Sequence, residues 1–120
     1  MNHVTLQNLR KLSPAVDLAI LIDPEGAILA ASPEIDEGNP LGDIAAPMLT
    51  ALAGLAERTT RELGRGLLQE FILRGPAGHV IARDLGDGRI LAIVARPSAQ
   101  LGLLLDDIDA AASTLTRSAA

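Results

Sequence analysis

The chain has 120 residues, no cysteine, a formal charge of −5 and a single aromatic residue, Phe71. Disulfides, thiolate catalysis, iron–sulfur clusters and cysteine-ligated zinc are thereby excluded. There is no basic cluster to neutralise duplex phosphates and no aromatic platform on which bases could stack, so nucleic acid is not an expected partner.

A chain of this length buries roughly two thirds of its unfolded surface around one core, so one domain over residues 1–120, ordered over about 5–115, needs no covalent or metal staple. The N-terminus has no basic segment leading into an apolar one, and no apolar run approaches the ~18 residues of a membrane span. A soluble, cytoplasmic protein is the expectation. All the basic residues except Lys11 are arginine and alanine is abundant, the composition of a GC-rich bacterial genome.

Leu6, Leu9 and Leu12 recur three apart among polar residues, the stripe of a short amphipathic helix over residues 5–12 that Ser13-Pro14 ends. Residues 17–23 read Asp-Leu-Ala-Ile-Leu-Ile-Asp, a strand apolar on both faces. The turn Asp23-Pro24-Glu25-Gly26 returns the chain antiparallel along residues 27–31. After a polar loop over 32–40, a helix is predicted over 43–63, with Asp43 as N-cap, Pro47 ending the first turn and Gly64 at C′. Strands over 67–74, 79–85 and 89–95 follow, joined by Gly75-Pro76-Ala77-Gly78 and Gly86-Asp87-Gly88. A last helix starts after Pro97 with Ser98 as its cap, carries Leu101, Leu104, Leu105, Ile108, Ala112 and Leu115 inward, and frays over 117–120.

Strands one and five lack a polar face and belong in the centre of the sheet. Strands three and four carry Gln69, Glu70, Arg74, Arg83 and Asp84, and lie nearer an edge. The expected fold is α/β (α+β): an antiparallel sheet in the order 2-1-5-4-3, with the long second helix on one face and the two terminal helices on the other. At ~100° per residue, Leu41, Ile44, Met48, Leu52, Leu55 and Ala56 form the stripe predicted to meet the sheet, with Ala46, Ala53 and Gly54 toward the polar side.

The element order and three segments resemble the Roadblock/dynein light chain family, including its bacterial branch. The segments are the hairpin from Ala19 to Ser32, the Ala/Leu-rich helix, and the closing Arg89-Ile90-Leu91-Ala92-Ile93-Val94. The resemblance implies a homodimer whose long helices pack together and whose third strands pair edge to edge, acting beside a small Ras-like GTPase. On that basis the dimer interface is expected at Ala46, Thr50, Ala53, Gly54, Glu57, Phe71, Ile72 and Leu73, and the GTPase contact at Thr50, Gly54, Glu57, Arg58 and Arg61. Gly54 within a helix costs roughly 1 kcal/mol relative to alanine, a cost that a close helix neighbour would explain. Phe71, Ile72 and Leu73 on an edge strand would leave an apolar, unpaired ladder. The alternatives are a profilin-like sensory module for a small ligand and a structural assembly subunit.

No constellation suits catalysis, a metal or a cofactor. His3 is expected in a mobile terminus and His79 beside a turn, both solvated. Asp106, Asp107 and Asp109 lie on the polar side of a helix and lack a cation-binding loop. Neither glycine-rich turn opens a helix after a strand, Lys11 is in no phosphate loop, and no serine occupies a nucleophile elbow. Arg58, Arg61 and Arg65 invite comparison with a charge-stabilising arginine supplied to a GTPase, but cations at a helix C-terminus already complement its dipole.

Overall fold

A computed structural model describes residues 2–118, in the order α1 (Asn2–Leu12), β1 (Val16–Ile22), β2 (Ile28–Ser32), a π-helical turn (Leu41–Ala45), α2 (Ala46–Glu62), β3 (Glu70–Gly75), β4 (Gly78–Asp84), β5 (Ile90–Ala95) and α3 (Leu101–Ser118). The five strands form one antiparallel sheet in the order β2-β1-β5-β4-β3, as the apolar patterning predicts.

Both central strands feed a core on each face. Leu91 and Ile93 of β5 meet Leu6 and Leu9 of α1 and Leu104, Ile108 and Leu115 of α3, while Ile90 and Ala92 meet the α2 side. In β1 the pairing slips between Val16 and Leu18, so Val16, Ala19 and Leu21 share the α1/α3 face and Leu18, Ile20 and Ile22 the other. The slip turns Asp17 outward, where its carboxylate lies 3.2 Å from Arg96 Nε.

The turns behave as their residues demand. Asp23 Oδ1 accepts from the backbone N–H groups of Glu25 and Ala27, and the Asp23 carbonyl accepts from Gly26. Gly64 stands at C′ with φ +71°, its N–H donating to the Arg61 carbonyl while that of Arg65 donates to Thr60, the paired bonds of a Schellman motif.

Several boundaries differ from expectation. Asp43 does not cap the long helix: it lies inside the π-helical turn that runs straight into α2, and Asn39 does the capping, its Oδ1 accepting from the Leu41 N–H at 2.9 Å. Pro47 sits in the first turn of α2, directly after the π-helical turn in which the Ala46 N–H reaches back five residues to the Leu41 carbonyl. Ser98 is no cap either. Pro97 and Ser98 form a turn closed by the Ala99 N–H on the Arg96 carbonyl, and the first helical bond of α3 runs from the Leu104 N–H to the Gln100 carbonyl. The first helix starts at Asn2 and so includes His3, whose ring nitrogen is 3.1 Å from Gln7 Nε2 rather than in a mobile terminus. Of the expected frayed tail, Arg117 belongs to α3, and 119–120 lie outside the described residues.

The orientation of α2 is the main correction. Ala46 and Ala53, placed toward the polar side by the periodicity argument, are the residues that meet the sheet, at 0% and 8% exposure. Leu49 and Ala56 flank them, whereas Ile44, Met48, Leu52 and Leu55 are exposed. The apolar sequence stripe is wider than the strip the sheet covers, and small side chains occupy the closest approach.

Candidate interaction surface on the second helix

Because alanines line its inner face, α2 sits close to the sheet and its larger side chains project along one flank. Met48 and Leu55 are each 63% exposed. With Leu41 and Leu52 they form one wall of a groove whose floor is Ile20, Val94 and Val80 and whose far wall is Leu73 of β3. The groove encloses about 530 Å³, and every residue lining it is apolar.

The sheet edge beside the groove is open. β3 pairs with β4 through the register Phe71↔Ala82, Ile72↔Ile81 and Leu73↔Val80, and is the last strand of the sheet. Phe71 is half-buried beneath α2, and Leu73 points to the same face. Ile72 points to the other face, and both Ile72 and Leu73 are exposed by more than a third. An unpaired apolar edge next to an apolar groove is a surface that soluble proteins ordinarily cover.

The expected interface residues therefore divide. Phe71, Ile72 and Leu73 lie where edge pairing would use them, but Ala46 and Ala53 are spent on the chain's own core and present no surface. Sequence reasoning missed Ile44, Met48, Leu52 and Leu55 as surface residues because it assigned them to the sheet.

Thr50, Gly54, Glu57, Arg58 and Arg61 follow one another at helical spacing along the opposite flank of α2. Thr50 is half-buried and its hydroxyl donates to the Ala46 carbonyl at 3.2 Å. Gly54 is exposed, and a methyl group added to it would meet nothing within 4 Å. Glu57 and Arg61 stand 4.0 Å apart, one helical turn from each other. Arg58 is exposed at the end of the row. Together with Arg65 and the β4–β5 loop, Glu57 and Arg61 border a polar hollow of about 710 Å³. In that loop, burial nudges the Asp87 carboxyl upward, but hydrogen bonds from the Arg89 backbone and guanidinium outweigh it and hold the group below the ordinary carboxylate value.

The remaining candidates are structural. Asp107 accepts from the Ser13 hydroxyl at 2.5 Å and ties α3 to the end of α1. Asp109 pairs with Arg83, which Glu70 also holds at 3.1 Å. Among the described residues no group of three acidic or histidine side chains is placed to hold a metal. His79 is not solvated as expected: it is 6% exposed, with Nδ1 lacking a hydrogen-bond partner. His79 lies two residues before the fully buried Ile81 on β4, between Arg74 of β3 and Ala95 of β5, so strand alternation turns it to the same covered face. No helix of the described residues is long and apolar enough to cross a membrane.

The sequence profile of the Roadblock/LC7 domain matches residues 3–95, from α1 to the last residue of β5. An uncharacterized protein of Methanocaldococcus jannaschii is 28% identical over 86 residues, covering 72% of each chain. Among solved structures, MglB of Myxococcus xanthus superposes with a TM-score of 0.85 at 16% identity, covering 97% of this chain and 92% of MglB. An MglB solved in a tetrameric arrangement gives 0.83 at 24% identity, covering 97% and 85%. Those two structures share the fold across α3 as well as the matched segment.

Proposed function

The chain belongs to the Roadblock/LC7 domain family, and on that premise we propose that it is a non-catalytic, cytoplasmic binding subunit that pairs with a second copy of itself and, as a dimer, regulates or scaffolds a small Ras-like GTPase. The observation that carries this reading is the uncovered apolar groove between α2 and β3. Ile44, Met48, Leu52, Leu55 and Leu73 are large side chains, 37% to 63% exposed, and covering what remains of each gains roughly 1 kcal/mol, about half the value of full burial. Five from each copy exceed the roughly 8 kcal/mol of a micromolar complex before association costs are subtracted. A symmetric partner would also close the β3 edge, in keeping with the self-association recorded for a tetrameric MglB.

The interface so proposed keeps Phe71, Ile72 and Leu73 and replaces Ala46 and Ala53 with the four exposed side chains on the same helix. Thr50, Gly54, Glu57, Arg58 and Arg61 then remain on the free flank, displayed twice by the dimer, as the surface offered to the GTPase. Regulation would follow from contacting one nucleotide state better than the other, which shifts the partner's population without any chemistry by this chain. Arg61 is engaged with Glu57 and supports charge complementarity rather than a transferring phosphoryl group.

Crosslinking and mass spectrometry of the protein purified from its native cells test the partner. The expected result is crosslinks from residues 50–61 to a small Ras-like GTPase, differing in yield between GTP and GDP and lost in Arg58→Glu/Arg61→Glu. Self-crosslinks alone, extending beyond two copies, would replace the regulator with a structural assembly subunit.

A further inference from the structure

On the α1 side of the sheet, away from the α2 groove, a cleft of about 610 Å³ opens between α1, the end of β2 and the end of β5. Its charge runs against that of the molecule. Arg10, Lys11 and Arg96 face it against Asp17 and Glu34, a balance of +1 in a chain of −5. Asp17 is already engaged by Arg96 at 3.2 Å, and Arg96 also donates to the Pro14 carbonyl. Glu34 is largely solvated and reaches only toward His3, 3.9 Å away. Among the described residues neither Arg10 nor Lys11 has a carboxylate within ion-pairing distance.

Arg10 is the informative residue. Its Nη1 donates to the Ser32 hydroxyl over a long 3.4 Å, and its Nε is buried with no hydrogen-bond partner. Two cations in the last turn of α1 complement its dipole, which accounts for the exposed Lys11. It does not account for a guanidinium that lines the cleft with its buried Nε unpaired and its bond to Ser32 long, because under-satisfied donors are costly and call for an acceptor. Ser32, 3% exposed, accepts from Arg10 and keeps its own proton free to donate.

We propose that this cleft binds an oxyanion, a carboxylate or a phosphate monoester on a small molecule, held by the Arg10 guanidinium with Lys11 as a second cation and the Ser32 hydroxyl as a third donor. A planar fork matches two oxygens of such a group, and the cleft volume suits a small ligand. The site is independent of the groove, so a ligand here leaves self-association to be measured separately.

The test is a titration of the ¹⁵N-labelled full chain with sodium phosphate and with sodium succinate, each against sodium chloride at equal ionic strength. The expected result is saturable shifts confined to Arg10, Lys11, Ser32 and their neighbours. Binding should weaken roughly tenfold in both Arg10→Gln and Arg10→Lys, the second of which keeps the charge and loses the fork. Tighter binding of phosphate would identify a phosphorylated ligand, and tighter binding of succinate a carboxylate. Lys11→Gln, at an exposed position, should weaken binding about twofold to threefold, and decides the question should the Arg10 variants fail to fold. Shifts that never saturate, that match those of chloride, or that survive Arg10→Lys and Lys11→Gln undiminished would overturn the proposal.

Discussion

On the α1/α3 side of the sheet, Leu6, Leu9, Leu91, Ile93, Ile108 and Leu115 are all buried within their own chain, whereas on the α2 side the helix gives the sheet Ala46 and Ala53 and leaves Met48 and Leu55 in water. Both faces are apolar in sequence, yet only one is finished by the monomer. The first face spends its large side chains on folding, and the second leaves them exposed beside the open β3 edge. Hydrophobic content alone does not separate these uses, while the size of the residue at the point of closest approach does.

Truncation on the two faces should break or sharpen that contrast. Ile108→Ala removes a fully buried side chain and should cost about 2–5 kcal/mol in a urea denaturation series. Leu55→Ala should change monomer stability by no more than about 0.5 kcal/mol while weakening self-association. Equal losses on both faces would abolish the distinction. Gly54→Ala should raise monomer stability by up to about 1 kcal/mol, because the position is helical, exposed and has open space where the methyl would go. If it instead weakens the dimer, the crossing point of the paired helices lies at Gly54 rather than on the Met48–Leu55 flank.

The smallest expected effect concerns neither face but the loop at one end of the sheet. The Asp87 carboxyl is held below its ordinary value of 3.8, so its stabilising contribution is complete above that value and disappears as pH falls through the lower folded-state value. Asp87→Asn should therefore lower stability at pH 7 by less than about 1 kcal/mol, the side chain being partly exposed, and flatten the acid limb of the stability profile so that the two chains converge below about pH 4.

Sheet order was legible because β1 and β5 have no polar face, and the hairpins were legible because Asp23, Gly26 and the glycine turns have a local chemistry of their own. The rotation of α2 was not. Its apolar residues cover more than half the helix circumference, and periodicity cannot say which part of so wide a face the sheet takes. The cap was misplaced for a related reason: Asp43 and Asn39 are both good cap residues, and the π-helical turn that favours Asn39 has no sequence signature. Burial of His79 depends on β4 lying between β3 and β5, with His79 opposite Arg74 and Ala95, a placement that the adjacent turn residues do not announce. The cleft residues Arg10, Ser32 and Arg96 are likewise assembled from three distant elements.

Sedimentation equilibrium of the wild-type chain beside Leu55→Glu, with circular dichroism to confirm folding, addresses the central claim most directly. The account predicts a wild-type dimer and a folded Leu55→Glu monomer, because the charge would be buried at the pairing surface and is harmless on the isolated chain. A wild-type monomer across the accessible concentration range, or a Leu55→Glu dimer as tight as wild type, would contradict it.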